Sequence, residues 1–132
     1  AGAFRRYAAQ EIEILCGDFF ALDRDTLGPV EAVYDRASLV ALPPAMRPDY
    51  AAHLAGLLEA EATVLLVTFD YPQAEMDGPP FAVTEAEVRA HYAGGFELQV
   101  LAAVDILADH PRFRQRGLTQ LAEVVFMLRR RP

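Results

Sequence analysis

Residues 11–20, EIEILCGDFF, alternate between polar and apolar positions and then run apolar until Gly17-Asp18, a pattern that predicts a buried strand ending in a loop. A helical turn is expected over 25–28. A second short apolar stretch, VEAVY at 30–34, stops at Asp35-Arg36 and predicts a second strand. After Pro43-Pro44, residues 45–60 place Met46, Tyr50, Leu54, Leu57 and Leu58 at three- and four-residue steps, the spacing of an amphipathic helix. TVLLVTF at 63–69 is rich in β-branched and aromatic residues and is bounded by Asp70-Tyr71-Pro72, so a third strand is expected there, in the centre of the sheet.

Residues 72–81 are too rich in proline for regular structure, and irregular segments of that length often carry function. Thr84 followed by Glu87 has the form of a capping box, opening a helix that runs to about Tyr92 and closes at Gly94-Gly95. Two late strands are expected at 96–101 and 124–129, joined by the polar run His110-Pro111-Arg112-Phe113-Arg114-Gln115-Arg116-Gly117. The order strand, strand, helix, strand, helix, strand, strand describes an α/β unit whose parallel part ends in an antiparallel pair.

At 132 residues with 53% hydrophobic composition, the chain is long enough for one domain with a real core. No apolar run approaches the ~18 residues of a membrane span. The net charge of −7 repels phosphate backbones, which argues against general nucleic-acid binding even though arginines gather at 112–116 and 129–131. The single cysteine cannot form an internal disulfide, and the opening AGAFRRYAAQEIEI lacks the uninterrupted apolar stretch of a signal peptide, so a reducing, cytoplasmic setting is expected.

Ligands of open α/β sheets lie beyond the carboxyl ends of the strands, which directs attention to Asp18-Phe19-Phe20, Asp35-Arg36 and Asp70-Tyr71. An acidic residue followed by aromatics suits a purine, the carboxylate accepting from an exocyclic amine and a ring packing on the base. The same residues also suit a turn cap with both phenylalanines in the core, and Asp35-Arg36 suits a surface ion pair. Cys16, inside the first strand, reads as a small buried hydrophobe and not a catalytic thiol. His53, His91 and His110 have no metal-ligand spacing and read as structural or exposed, so no metal is expected.

The strings EIEILCGDFF, VEAVYDRASLVALPP, MRPDYAAHL, LLVTFDYPQAEMDGPPF and RGLTQLAEVVFMLRR, in order across nearly the whole chain, resemble the bacterial thiopurine S-methyltransferases. The resemblance implies a Rossmann-like class I methyltransferase sheet with an antiparallel C-terminal strand pair. It also implies use of S-adenosyl-L-methionine to methylate sulfur, with related members acting on selenium and tellurium compounds. By similarity, Asp18, Phe19 and Arg36 fall at the cofactor. Arg36 and Arg112 fall at the substrate, and Tyr71, Pro79, Pro80 and Phe81 fall in the apolar wall of its pocket. Methyl transfer from a sulfonium is an in-line displacement, so the protein has chiefly to hold a soft nucleophile near the methyl carbon and exclude water. No nucleophilic side chain is needed, and arginine can favour the anionic acceptor.

The family carries an earlier portion with a first strand, a glycine-containing cofactor loop and an acidic residue for the ribose hydroxyls. No counterpart is visible here, and Gly2 stands alone. Residues 1–132 are therefore expected to form a partial domain, the C-terminal portion of a methyltransferase, with an incomplete sheet. In the family's order the absent strands lie between the first two strands read above, a gap of about 14 Å at ~4.8 Å per spacing. A preceding segment of the same polypeptide, or a partner chain, is expected to fill it. The competing expectation is a non-catalytic remnant that binds a partner through its sheet edges.

Overall fold

The computed structural model describes residues 3–132, so Gly2 lies outside the described residues. Strands β3 (Ala32–Arg36), β4 (Thr63–Asp70), β5 (Phe96–Asp105) and β6 (Ala122–Arg130) form one sheet in the order β3-β4-β6-β5. β3 and β4 are parallel, and β6 is antiparallel to both β4 and β5. β4 is interior, as its continuous apolar run predicts, and the two late strands form the expected antiparallel pair. β5 continues four residues beyond the predicted stretch through an irregularity between Val100 and Ala102.

The first predicted strand requires a correction. β2 (Ile12–Cys16) pairs with β1 (Arg5–Ala9) as a separate antiparallel ribbon and takes no part in the four-stranded sheet. It is not buried: Tyr7, Ile12 and Ile14 are exposed, and so is Cys16, which was read as a buried hydrophobe. Two strands alone have no opposing layer to cover their apolar faces. Arg6 donates to the Thr26 carbonyl at 3.1 Å, tying the ribbon to the short helix α1 (Arg24–Leu27).

Helices α2 (Arg47–Leu57) and α3 (Glu85–Tyr92) cover one face of the sheet. Strand alternation aims Val64, Leu66, Phe126 and Leu128 at that face, where they pack with Leu54, Leu58, Val88 and Tyr92. The opposite face, which carries Tyr34, Leu65, Val125, Met127 and Val104, is much barer: Tyr34 is 64% and Val104 52% exposed. Among the described residues no helix is long and apolar enough to cross a membrane.

The Thr84 cap forms as predicted, its hydroxyl accepting from the Glu87 amide at 3.2 Å. The Glu87 carboxylate serves a different purpose. Arg47 Nη1 donates to both of its oxygens at 3.0 and 2.9 Å, and His91 Nε2 lies 2.9 Å from Oε2. Arg47, whose side chain is 3% exposed, also donates from Nε to the Leu42 carbonyl at 3.0 Å. Burial raises the Glu87 carboxyl, but the hydrogen bonds and charges of His91 and Arg47 outweigh it and hold the group below the usual glutamate range. Glu87→Ala leaves a buried guanidinium without its counter-ion and is expected to destabilise the polypeptide by about 3 kcal/mol in urea unfolding at neutral pH. Because the folded carboxyl is depressed, its contribution is complete above the unfolded value and fades as pH falls below about 4.3, so the gap between wild type and variant narrows in acid. Equal stabilities at neutral pH contradict the assignment.

Candidate active site

Strands β3, β4 and β5 run in the same direction, so Arg36, Asp70 and Asp105, their last residues, reach one rim, where β6 begins at Ala122. The turns that sequence reasoning singled out after the second and third strands therefore lie at a common edge.

At the β3 end the two neighbouring residues part company. Asp35 points to the helix-covered face and is buried, accepting from the Tyr50 hydroxyl of α2 at 2.7 Å. Burial pushes its carboxyl above the usual aspartate range against the lowering effect of that bond; burial and the Asp35 charge together push the Tyr50 hydroxyl up. Arg36, on the barer face, has a 57% exposed side chain and reaches across β4 to place Nη2 3.5 Å from Glu123 Oε2. The surface ion pair considered from the sequence thus involves Arg36 and Glu123, while Asp35 turns inward.

Asp18 caps the 3-10 turn Phe19–Ala21, its Oδ1 accepting from the Phe20 amide at 2.9 Å. Phe19 packs on the ring of Tyr50 at 5.1 Å between centroids and edge-on to His53 at 5.1 Å. Phe20 stays 38% exposed, so only one of the two phenylalanines joins the core. Asp35, Tyr50 and Phe19 form a continuous chain from the β3 rim to the aromatic turn.

After β4, residues 71–82 fold back over the rim. Tyr71 is buried and donates its hydroxyl to the Pro80 carbonyl at 2.6 Å, and the Phe81 amide donates to the Val40 carbonyl at 2.7 Å. The Pro79–Phe81 segment therefore bridges the turns that follow β3 and β4. Arg47 stands over the Phe81 ring, with Cζ 5.4 Å from the centroid. Gly78 has φ +78°, and a Cβ there would lie 2.7 Å from Phe81 Cδ1, so both backbone and space require glycine. Tyr71 also joins Met76, Leu107, Leu118 and Leu121 in a second small core above the rim. Glu75 holds this cap together: its carboxylate accepts from the Thr119 amide at 2.9 Å and hydroxyl at 2.7 Å, bonds that keep its carboxyl below the usual range.

A cleft of about 260 Å³ opens at the rim between Asp70, Tyr71, Pro72, Asp105, Gln120, Leu121 and Ala122. Tyr71 lines it; Asp18, Arg36, Pro80, Phe81 and Arg112 do not. Arg112 is exposed on α4 (Pro111–Gln115). Among the described residues no group of three or more His, Cys, Asp and Glu side chains is placed to hold a metal. The structure adds residues that sequence reasoning left out: Tyr50 and Arg47, which periodicity assigns only to a helix, and Gln73, Asp105 and Gln120. Arg47 was the most accessible of these, since a charged residue in the first turn of an apolar helix face needs a partner when buried.

Comparison with known proteins matches residues 1–131 to the family described as thiopurine S-methyltransferase. A thiopurine S-methyltransferase of Nitrosospira multiformis is 54% identical over 125 residues, covering 95% of this chain and 57% of that protein. One from Pseudomonas aeruginosa is 51% identical over 129 residues, covering 98% and 59%. The chain thus spans less than two-thirds of the length of these relatives. Among solved structures, Burkholderia thailandensis 1,6-didemethyltoxoflavin-N1-methyltransferase, bound to 1,6-didemethyltoxoflavin and S-adenosylhomocysteine, superposes with a TM-score of 0.53 at 18% identity, covering 89% of this chain and 49% of that one. The N-terminal domain of EvdMO1 with S-adenosylhomocysteine bound gives 0.54 at 16% identity, covering 87% and 52%. At such identities the structures establish the shared fold, and the family match is carried by the sequence relatives: this chain belongs to the thiopurine S-methyltransferase family.

Proposed function

We propose that this chain supplies the acceptor side, and part of the donor side, of an S-adenosyl-L-methionine-dependent S-methyltransferase. The observation that carries the reading is the convergence of the β3, β4 and β5 ends on one rim, capped by the Pro79–Phe81 segment, in a member of this family.

The residues present fit an adenosyl donor. Asp18 is exposed and commits Oδ1 to the cap, while its second oxygen has no hydrogen bond with the described residues and can accept from an exocyclic amine. Phe19, braced by Tyr50 and His53, offers an aromatic surface beside it. When bound, the donor supplies an electrophilic methyl group. The protein's part is to bind, orient and exclude water. Tyr71, Pro80 and Phe81 supply the apolar wall, Arg36 the charge that favours an anionic sulfur, and Arg112 a second cation on the substrate side.

The acceptor is a thiopurine-like heteroaromatic thiol or a selenium or tellurium compound. Asp70 and Asp105 flank the cleft, and Glu123 offsets part of the charge of Arg36, features that favour a singly charged heteroaromatic thiolate with N–H donors over an oxyanion. Residues 1–132 form a partial domain in this reading. The barer face and the β3 edge support completion by a further segment of the same polypeptide or by a partner chain. The lone cysteine supports a reducing, cytoplasmic setting.

Titration calorimetry of the polypeptide carrying this chain with S-adenosylhomocysteine is expected to give saturable binding, followed in turnover assays by methylation of a heteroaromatic thiol in preference to selenite. Absence of binding favours the non-catalytic remnant instead. Arg36→Ala is expected to lower kcat/KM for the thiol by a factor equivalent to about 2–3 kcal/mol, the worth of a charge-assisted contact. An unchanged value removes Arg36 from the site.

A further inference from the structure

The amide of Gln73 is held at three points. Nε2 donates to the Met76 carbonyl at 2.8 Å and to the Tyr71 hydroxyl at 3.2 Å, and Oε1 accepts from the Ala82 amide at 2.9 Å. The orientation of the amide is chemically determined: a backbone N–H must face Oε1, and a backbone carbonyl must face Nε2. Because the Tyr71 hydroxyl accepts from Gln73, its own proton is directed to the Pro80 carbonyl, 2.6 Å away. Gln73 thereby fixes the donor direction of Tyr71 and closes the loop between residues 71 and 82.

Tyr71 lines the rim cleft, but its hydroxyl is engaged on both sides within the loop. The proton needed for general acid chemistry is already committed, which leaves the side chain as a wall. We propose that Gln73 is a positioning residue for the methyl acceptor, setting the acceptor's fit by locking Tyr71 against Pro80. The proposal rests on the methyltransferase reading above. The far side of the cleft is tied to the same loop, since Glu75 grips Thr119 next to the lining residues Gln120 and Leu121. Releasing Gln73 leaves that tie in place and frees the Tyr71 hydroxyl and the Ala82 end of the loop.

The test is steady-state kinetics of the full polypeptide with S-adenosyl-L-methionine and a heteroaromatic thiol, comparing wild type with Gln73→Ala, Gln73→Glu, Tyr71→Phe and the Tyr71→Phe/Gln73→Ala double variant. Gln73→Glu keeps the shape while removing both donors, so it carries the test if the alanine variant does not fold. Each Gln73 variant is expected to raise KM for the thiol about tenfold, the equivalent of one net hydrogen bond, with KM for the donor unchanged. The double variant is expected to fall clearly short of the sum of the two single effects, because Gln73 acts on the acceptor through that hydroxyl while its bonds to Met76 and Ala82 only hold the loop. In hydrogen exchange the Ala82 amide loses protection in Gln73→Ala. An active wild type whose Gln73 variants leave the thiol KM unchanged, raise both KM values together, or add in full to Tyr71→Phe overturns the proposal alone. A wild type without methyl transfer overturns the functional reading along with it.

Discussion

A single guanidinium joins four segments of this chain at the helix-covered side of the rim. Arg47 sits at the start of α2, bonds the Leu42 carbonyl in the connection from β3, holds both oxygens of Glu87 on α3, and lies over Phe81 at the end of the loop from β4. A buried cation needs a counter-charge and hydrogen-bond partners, and here the groups that serve Nε and Nη1 come from the segments that flank the rim. The packing of the two helices and the placement of Phe81 are consequently one arrangement. A methionine in the same volume could fill the space, but it could not specify the separation of four segments through directed bonds.

Topology does the rest. A parallel β3 and β4, with β5 turned the same way by its antiparallel pairing to β6, gather the three strand ends Arg36, Asp70 and Asp105 on one edge while both helices cover one face. The division of side chains at the end of β3 follows directly from strand alternation: Asp35 enters the core and meets Tyr50, and Arg36 emerges on the barer face. Phe19 is supported through Tyr50, so the aromatic turn and the β3 rim share one buried bond. The aromatic turn and the β3 end of the rim are therefore braced by core contacts.

Much of this was readable from the chain. The continuous apolar run of β4, the Thr84 cap and the late strand pair are consequences of local pattern, and all stand in the structure. The β1–β2 ribbon was not: EIEIL alternates like a half-buried strand, yet its burial depends on an opposing layer that local sequence does not contain. The burial predicted for Cys16 failed for the same reason. Family resemblance drew attention to Tyr71, Pro79, Pro80 and Phe81, of which Tyr71 lines the rim cleft. Gln73 was not, because bonds that span nine residues of irregular backbone leave no period to read. Glu87 was identified as a cap residue, and its pairing with Arg47, forty residues away in sequence, emerges only when α2 and α3 are packed.

The central claim is that the rim formed by the ends of β3, β4 and β5 is where donor and acceptor meet. It is tested most directly by a crystal structure of the polypeptide carrying this chain, in complex with S-adenosylhomocysteine and a heteroaromatic thiol. The account predicts the thiol sulfur at the rim beside Tyr71, facing the donor sulfur, with the adenine next to Asp18 and Phe19. A thiol bound at the opposite end of the sheet, or an adenine remote from Phe19, contradicts it.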